Sequence, residues 1–386
     1  LFKNTILPTR STAKYRRGSL TVFTHSILSS FTHSKEQMNV GILGATGAVG
    51  QKFIRLLAHH PWFTITALGA SERSAGKPYA DAVNWIEDVL LPDQIARLTV
   101  KHCTPDALGS VDFVFSGLDS SVATDIEASF ANAGIPVISN AKNYRQDPKV
   151  PLLIPEVNPD HISLISHQEF SQDGSGWIVT NPNCVAVPLS LALKPLHDQF
   201  GLENLSVTTL QALSGAGYPG VPSLDILANV IPFISGEEPK IAPETQKILG
   251  TLNAMQIDRP SFTVDATCTR VHTLNGHMAA VSCRFSTKPN SVEDVIQTLK
   301  AYPNPIADLD LPTSPAQLYH LHEQQNYPQP RLHADRDKGM SLHIGRIREG
   351  DFFHINFVCM AHNTIRGAAG GAILNAELLH KKGYLN

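Results

Sequence analysis

A cysteine near the middle of the chain has the neighbours that a catalytic thiol needs. The apolar residues 177–179 predict a strand, which Pro182 would end just before Cys184. Apolar residues from 187 to 196 predict a helix directly after it. At a helix N-terminus, unpaired N–H groups and the positive end of the helix dipole favour a thiolate over a thiol. We therefore interpret Cys184 as a candidate nucleophile toward an acyl or aldehyde carbon, with a buried structural thiol as the alternative.

A glycine-rich turn near residue 44 is typical of a dinucleotide-binding loop. Gly44, Gly47 and Gly50 follow an apolar strand pattern at 40–43 and precede a helical pattern at 51–57. Glycines let the backbone approach a pyrophosphate, and the helix N-terminus supplies N–H donors. The spacing is GxxGxxG and not GxGxxG, so an ordinary strand–helix turn is the alternative. The residues expected to line this site are Gly44, Thr46, Gly47, Ala48 and Val49.

The loop after the second predicted strand, residues 63–68, is where such folds bind the adenosine ribose. An acid there favours a free 2′-hydroxyl and an arginine favours a 2′-phosphate, yet Glu72 and Arg73 are adjacent. The residues of this loop that suit an anion are Ser71, Arg73, Ser74 and Lys77. Because these outnumber the single acid, we expect NADP as the cofactor; a solvated loop of mixed charge is the alternative.

Two different strand patterns predict two kinds of sheet. Residues 38–139 alternate strand and helix, which predicts a parallel sheet with helices on both faces. Strand patterns at 205–213, 262–267, 277–285 and 352–360 have fewer helices between them. They predict a mixed or antiparallel sheet with one face covered. The expected fold class is α/β: a Rossmann-type parallel-sheet domain plus an α+β catalytic and dimerisation domain.

Composition narrows the classes of function. The chain has 386 residues, 42% of them hydrophobic and 17% charged, which fits a soluble protein of two domains. Five scattered cysteines without a CxxC pair argue against a disulfide framework or a thiolate zinc site and for a reducing compartment. A net charge of −3 gives no general attraction to nucleic acid or to an anionic membrane, and no apolar run is long enough to span one.

The first 37 residues differ from the rest. They contain several Lys and Arg, many Ser and Thr and the single acid Glu36, a composition that resembles an organellar transit peptide. Met38 stands directly before the first strand pattern, as an ordinary start would, so translated upstream sequence is the alternative. We expect residues 1–37 to be disordered, and a cytoplasmic protein unless they are a genuine transit peptide.

An ordered set of motifs carries a resemblance to a known family. From Met38 to the C-terminus the chain resembles the aspartate-β-semialdehyde dehydrogenases of archaea and fungi. The matching segments, in family order, are 44–50, 71–77, 143–145, 151–158, 181–184, 211–217, 236–240, 270–277 and 362–370. The resemblance implies NADP-dependent reductive dephosphorylation of L-aspartyl 4-phosphate to L-aspartate 4-semialdehyde, a step in the biosynthesis of lysine, threonine, methionine, isoleucine and diaminopimelate.

The resemblance also implies residue roles. Cys184 would form an acyl-thioester, His277 would be its acid/base partner and Gln211 would orient the acyl group. The implied substrate ligands are Arg270 for the α-carboxylate, Glu237 for the α-amine, and Arg145, Asn183 and Lys240 for the phosphate. The implied cofactor ligands are Gly44, Thr46, Gly47, Ala48, Val49, Ser71, Arg73, Ser74, Ser116, Ser214, Gly215 and Asn363.

The resemblance further implies a discontinuous organisation and an oligomer. The NADP-binding domain would comprise residues 38–183 and 364–386, and the catalytic and dimerisation domain residues 184–363. A homodimer or homotetramer is expected.

Several alternatives remain at this level. A related acyl reductase, acting on malonyl-CoA or N-acetylglutamyl phosphate, would share the cysteine, the histidine and the nucleotide loop. A catalytically inactive nucleotide-binding or assembly protein is a second alternative. His272 is a rival base that we expect to be structural, and Glu238 is a rival to Glu237. No metal site is expected, although three histidines lie close together in the sequence: His320 and His322 in a Pro-rich connection at 312–330, and His333 just after it.

Overall fold

Two β-sheets organise the part of the chain that this computed structural model describes, residues 37–385. The expected disorder before Met38 therefore lies outside the described residues, apart from Gln37. The first sheet contains β1 (Met38–Leu43), β2 (Phe63–Ala70), β3 (Val100–His102), β4 (Phe113–Ser116), β5 (Val137–Ser139) and β6 (Ile178–Thr180). Its six strands are all parallel and follow the order β3-β2-β1-β4-β5-β6. This is the strand order of doubly wound dinucleotide-binding folds, and it confirms the predicted parallel sheet.

The second half of the chain forms a seven-stranded mixed sheet and a separate short hairpin. The strands are β7 (Leu202–Gln211), β8 (Val230–Ile231), β9 (Thr251–Asn253), β10 (Gln256–Asp258), β11 (Thr263–Val271), β12 (His277–Phe285), β13 (Tyr319–His322), β14 (Leu342–Glu349) and β15 (Ile355–Ala361). The large sheet follows the order β13-β14-β15-β12-β7-β11-β8, and β9 pairs with β10. β11 is parallel to β7, whereas β12 is antiparallel to both β7 and β15. The prediction of a mixed sheet is confirmed.

The histidine-bearing connection is more ordered than the sequence suggested. Residues 312–330, interpreted only as a Pro-rich connection, contain β13, which pairs in parallel with β14 at the edge of the mixed sheet. Proline is tolerated at sheet edges because no ladder partner needs its missing N–H. The run from Tyr319 to His322 contains no proline, so its amide groups are available for that pairing.

The helices are α1 (Ala48–Leu57), α2 (Tyr79–Ala82), α3 (Asp93–Ala96), α4 (Pro105–Leu108), α5 (Ser120–Asn132), α6 (Ala186–Phe200), α7 (Ser223–Ile226), α8 (Glu238–Ile248), α9 (Val292–Lys300), α10 (Pro330–His333) and α11 (Gly370–Lys381). α1 buries Phe53, Ile54 and Leu57 on one face, as its sequence spacing predicts. α6 is apolar on nearly every side and is almost wholly buried. Among residues 37–385 no helix combines the length and apolar character needed to cross a membrane.

The C-terminal helix packs on the parallel sheet. Ile373, Leu374 and Leu378 of α11 belong to the same buried cluster as Val40 of β1 and Phe63 of β2. The chain thus returns to the nucleotide-binding sheet after completing the mixed sheet. The domain boundaries at 183/184 and 363/364 stay a prediction.

Candidate active site

The register of the mixed sheet brings distant polar residues to one edge. Gln211 is the last residue of β7, and Arg270 lies opposite it on the parallel strand β11. His277 is the first residue of the antiparallel strand β12, so it lies at the same edge. β15 ends at Ala361, opposite His277, which places Asn363 close by.

The main chain of Ala212 holds two of these side chains. Its N–H donates to His277 Nδ1 at 3.0 Å. Its carbonyl oxygen accepts from Arg270 Nη1 at 2.8 Å. Both side chains are buried, so their orientation is set by these contacts and not by solvent. Gln211, also buried, donates from Nε2 to Thr209 Oγ1 at 3.3 Å.

The contact with Ala212 determines what His277 can do. Because an N–H points at Nδ1, the proton of the neutral ring lies on Nε2. Nε2 is buried and has no hydrogen-bond partner among the described residues. Burial lowers the pKa of His277 to about 3, and the charges of Arg270 and His362 act in the same direction. His277 is therefore a neutral imidazole with one nitrogen free to exchange a proton with a bound group.

The turn after Asn363 lies against the same edge. Asn363 accepts from the Gly276 N–H at 2.9 Å and donates to Ser214 Oγ at 2.8 Å. A Cβ on Gly215 would lie 2.8 Å from His277 Cε1 and 2.9 Å from Arg270 Nη1. Only a glycine fits there. The loop that carries Ser214 and Gly215 can therefore approach both functional side chains.

Cys184 lies between the parallel sheet and α6, as predicted. It follows β6 and precedes α6, and the Val187 N–H donates to Asn183 O at 3.1 Å to begin the helix. The thiol is half-buried. Burial raises the pKa of Cys184 to about 12, and the charge of Glu237 adds to this; the positive charges of Arg145 and Arg270 oppose it. The direction of this shift is opposite to the predicted thiolate: burial of the sulfur favours a neutral resting thiol.

A connected group of charged side chains adjoins the cysteine. Asn183 Nδ2 donates to Glu237 Oε2 at 2.9 Å, and Lys240 Nζ to Glu237 Oε1 at 2.5 Å. The structure thus brings Asn183, Glu237 and Lys240 together. Arg145 joins the group through Glu244, which accepts from Arg145 Nη1 at 3.1 Å and from the Asn183 N–H at 2.7 Å.

Sequence reasoning missed Glu244 and its neighbour Lys247. A usable pattern was present, since residues 237, 240, 244 and 247 recur at helical spacing. Both are buried on α8. A buried charge without a partner is costly. Charged residues of alternating sign that continue along one helix face into a buried segment therefore indicate that each charge has a specific partner in the fold.

The glycine turn has the shape of a phosphate cradle. Gly44 has φ +74°, and a Cβ there would lie 2.8 Å from the Gly117 carbonyl oxygen. A Cβ on Gly50 would lie 2.3 Å from the Gly44 carbonyl oxygen. Glycine at these two positions therefore lets the turn pack closely against Gly117 and lets the start of α1 pack closely against the turn. α1 begins at Ala48, where its first N–H groups can bind a phosphate. Ser116, at the end of β4, adds a buried hydroxyl beside the Glu127 carboxyl.

The loop after β2 meets the solvent as a mixed-charge surface. Ser71, Glu72 and Arg73 are exposed, and Ser74 is buried. These positions at the carboxyl end of β2 agree with a ribose-binding loop. Their choice between a hydroxyl and a phosphate stays a prediction.

The remaining histidines of the sequence analysis lie away from these contacts. His272 is exposed. His320, His322 and His333 gather with His343, which the sequence analysis did not single out; the His320 and His343 rings stack at 4.8 Å. No group of three or more His, Cys, Asp or Glu side chains in residues 37–385 is arranged to hold a metal ion.

Comparison with known proteins assigns the family. The family model described as "Semialdehyde dehydrogenase, NAD binding domain" matches residues 39–165, and "Semialdehyde dehydrogenase, dimerisation domain" matches residues 193–366. The aspartate-semialdehyde dehydrogenase of Aspergillus fumigatus is 48% identical over 355 residues, which cover 89% of this chain and 98% of that protein. That of Archaeoglobus fulgidus is 48% identical over 344 residues, with coverage of 89% and 98%.

The chain belongs to the aspartate-semialdehyde dehydrogenase family.

Solved structures of this family share the fold. The crystal structure of aspartate semialdehyde dehydrogenase with NADP from Candida albicans superposes with a TM-score of 0.83 at 46% identity. The match covers 89% of this chain and 99% of the Candida chain. The resemblance, the fold class and the assignment as a dehydrogenase that were predicted from the sequence are thereby confirmed.

Proposed function

We propose that the protein catalyses the NADP-dependent reductive dephosphorylation of L-aspartyl 4-phosphate to L-aspartate 4-semialdehyde through an acyl-thioester on Cys184. One observation carries the proposal. The Cys184 thiol lies within the electrostatic influence of Arg145, Arg270 and Glu237. A substrate with a phosphate, an α-carboxylate and an α-amine needs two cationic sites and one anionic site around the nucleophile.

The substrate ligands follow from this charge arrangement. Arg270 would pair with the α-carboxylate, since a planar guanidinium binds a carboxylate at two points. Glu237 would bind the α-amine. Arg145, Asn183 and Lys240 would hold the phosphate, and Gln211 would orient the acyl group.

The neutral state of both reacting side chains suggests how acylation begins. The Cys184 sulfur attacks the acyl carbon, and the bond from that carbon to the phosphate oxygen breaks. His277 donates its Nε2 proton toward the leaving phosphate and takes the thiol proton on the same nitrogen. The former Nε2 proton of His277 therefore leaves with the phosphate, the thiol proton replaces it, and His277 ends the step neutral. When the C–S bond later breaks, sulfur regains a proton through His277.

The dinucleotide cradle fits NADP. The glycine turn and the first N–H groups of α1 would bind the pyrophosphate, and Arg73, on its exposed loop, would bind a 2′-phosphate. Bound NADPH supplies the hydride that reduces the acyl group to the aldehyde. Asn363, fixed by Gly276 and Ser214, would contact the nicotinamide. The Candida albicans relative was solved with NADP, which supports the same cofactor here.

The match to a dimerisation domain over residues 193–366 supports an oligomer. We propose a homodimer or homotetramer. The assigned pathway, amino-acid biosynthesis through aspartate semialdehyde, follows from the proposed reaction.

The reaction is tested in reverse. Aspartate semialdehyde, phosphate and NADP should give NADPH, and omission of phosphate should abolish the rate. N-acetylglutamate semialdehyde, or malonate semialdehyde with CoA, should give little, because neither matches the three charged sites. A higher rate with either alternative would refute the substrate assignment.

The cofactor assignment is tested at Arg73. The change Arg73→Ala should raise the KM for NADP and leave the KM for NAD nearly unchanged. Equal effects on both would contradict a 2′-phosphate contact. Arg97, outside the nucleotide loop, provides an Arg→Ala control that should change neither constant.

A further inference from the structure

The helix that follows Glu237 carries polar residues along one face over its whole length. Glu237 precedes α8, and Lys240, Glu244 and Lys247 follow at helical spacing. Exposure falls along this face: Glu244 is 3% exposed and Lys247 is fully buried. The first two residues have proposed substrate roles. The last two have none so far, although they are the more costly to bury.

Glu244 uses both carboxylate oxygens on proposed phosphate ligands. Oε1 accepts from Arg145 Nη1 at 3.1 Å, and Oε2 accepts from the Asn183 N–H at 2.7 Å. The other terminal nitrogen of Arg145 donates to the Asn140 carbonyl oxygen at 2.8 Å. The guanidinium is therefore held from two directions and cannot rotate freely.

Lys247 fixes the loop on which Arg145 stands. Its Nζ donates to the carbonyl oxygens of Arg145, Asp147 and Val150 at 2.8, 2.7 and 2.8 Å. Three acceptors match the three N–H groups of an ammonium ion. Burial lowers the pKa of Lys247 to about 7, and the charge of Arg259 acts in the same direction, whereas the charges of Asp147 and Glu244 oppose it. α8 thus holds Arg145 by its side chain and by its backbone.

We propose that Glu244 is a positioning residue of the phosphate-transfer step: by holding the Arg145 guanidinium and the Asn183 backbone N–H, it orients Arg145 and the Asn183 side chain to bind phosphate beside Cys184. The proposal rests on the proposed function, because Arg145 and Asn183 are phosphate ligands only there. Glu244 is one turn of helix beyond Lys240 and does not itself contact the substrate.

Glu244 also contributes to the charge balance at the cysteine. Its negative charge raises the pKa of Cys184, although burial and Glu237 have larger effects, and Arg145 opposes it. Removal of the charge while the side-chain shape is kept should make the thiol easier to ionise and phosphate harder to bind. If Glu244 had only a packing role, its replacement would not make the Cys184 thiol easier to ionise and at the same time weaken phosphate binding.

The experiment uses the full-length protein with Glu244→Gln, Glu244→Asp and the control Glu293→Gln, whose side chain is exposed on α9. One arm measures the KM for phosphate and for aspartate semialdehyde in the reverse reaction. The other arm measures iodoacetamide alkylation of Cys184 against pH, with and without inorganic phosphate. Circular dichroism and thermal unfolding check that each variant folds.

Glu244→Gln should raise the KM for phosphate at least about tenfold, and that for aspartate semialdehyde less than about twofold. Its Cys184 should alkylate at least about threefold faster near neutral pH, because a nearby negative charge is gone. Glu244→Asp keeps the charge but shortens the reach. It should weaken phosphate binding without the faster alkylation, and it tests the proposal if Glu244→Gln does not fold.

An unchanged phosphate KM in both variants, or equal losses for phosphate and semialdehyde, would overturn the positioning role. Absence of phosphate-dependent turnover in the wild type would refute the proposed function instead. The phosphate concentration that protects Cys184 from alkylation then decides the inference: equal protection in wild type and Glu244→Gln overturns it, and weaker protection in the variant supports it.

Discussion

At the scale of single residues, the reactive pair starts without charge. Burial holds Cys184 as a thiol and His277 as a neutral imidazole. In the proposed reaction, the thiol gives its proton to His277 as the phosphate leaves. A neutral thiol is a poor target for oxidants and alkylating agents, so these surroundings also protect the nucleophile between turnovers.

The first prediction concerns alkylation of Cys184. Since its pKa is raised to about 12, the iodoacetamide rate should rise about tenfold per pH unit from about pH 7 to about pH 9 without a plateau. Peptide mass spectrometry resolves this residue from Cys103, the other half-buried cysteine. Cys184→Ser should abolish the adduct and the turnover. A plateau below about pH 9 would show a more acidic thiol than the structure indicates.

The second prediction concerns Arg270. Arg270→Lys keeps the charge, but lysine cannot contact a carboxylate at two points and hold the Ala212 carbonyl as well. We expect kcat/KM for aspartate semialdehyde to fall more than about tenfold, equivalent to about 1.4 kcal/mol of transition-state binding. Steady-state kinetics measures it, with Arg284→Lys on β12 as a matched control. A smaller loss would remove Arg270 as the carboxylate ligand.

At the scale of elements, the turn before α11 packs against Cys184. Residues 365–369 form a π-helical turn, anchored by a fully buried bidentate pair between Arg366 and Glu156 at 2.7 and 2.6 Å. Gly367 follows directly and packs on Cys184. The C-terminal segment thus packs against Cys184, the proposed nucleophile, as well as on the parallel sheet.

The third prediction tests this support. A Cβ on Gly367 would lie 2.9 Å from Cys184 Cβ and 3.0 Å from Cys184 Cα, closer than real Cβ atoms approach. Because the Arg366–Glu156 pair resists movement of the turn, Gly367→Ala should displace Cys184 and lower kcat about 10²-fold or more.

Gly174→Ala is the control for this change. Gly174 has φ +73° but open space around its α-carbon. It should lose roughly 1 kcal/mol of stability to backbone strain and keep its activity. Thermal unfolding measures the loss of stability, and steady-state kinetics measures the loss of activity. A wild-type kcat in Gly367→Ala would show that the turn can move to accommodate the added methyl group.

At the scale of the whole molecule, a histidine cluster joins the edge of the mixed sheet to α10. It comprises His320 and His322 of β13, His333 of α10 and His343 of β14. His322 Nε2 and His343 Nδ1 share a hydrogen bond at 3.1 Å, and Asp337 accepts from His320 at 2.6 Å. Arg336 adds positive charge beside the cluster.

The fourth prediction is a loss of stability in acid. Burial, with the charges of the neighbouring histidines, lowers the pKa of His343 to about 3. Burial, with the charges of His333, Arg336 and His320, lowers the pKa of His322 to about 4. The unfolded chain protonates histidine near pH 6.5, so it binds protons that the folded protein excludes. Stability is therefore fully present above about pH 6.5 and falls as pH drops toward about 4, by about 1.4 kcal/mol per pH unit for each excluded proton.

The variant His343→Gln isolates one member of the cluster. It should flatten the pH dependence of the free energy of unfolding by about 1 kcal/mol per pH unit between about pH 6 and pH 5. Urea unfolding at several pH values measures this slope. His272→Gln, at an exposed position, should leave the slope unchanged. Parallel slopes for His343→Gln and the wild type would show that His343 accepts a proton in the folded state.

Local patterns in the sequence determined the elements and the chemistry-bearing segments. Apolar periodicity located β1, α1 and β12 closely, because these elements bury one face or both against a sheet. The strand, the glycine turn and the helix at 40–57 are contiguous in the sequence, so the predicted nucleotide loop was also visible locally.

Only the tertiary structure decided how distant segments meet. The register of β7, β11 and β12 places Gln211, Arg270 and His277 at one edge, and no local pattern encodes that register. The sequence analysis did not predict β13 within its Pro-rich segment, because β13 becomes a strand by pairing with β14, which lies about twenty residues further along the chain. The ionisation of Cys184 was predicted with the wrong sign. A helix terminus is visible in the sequence, but the burial that raises the pKa of the thiol arises only when the surrounding elements pack around it.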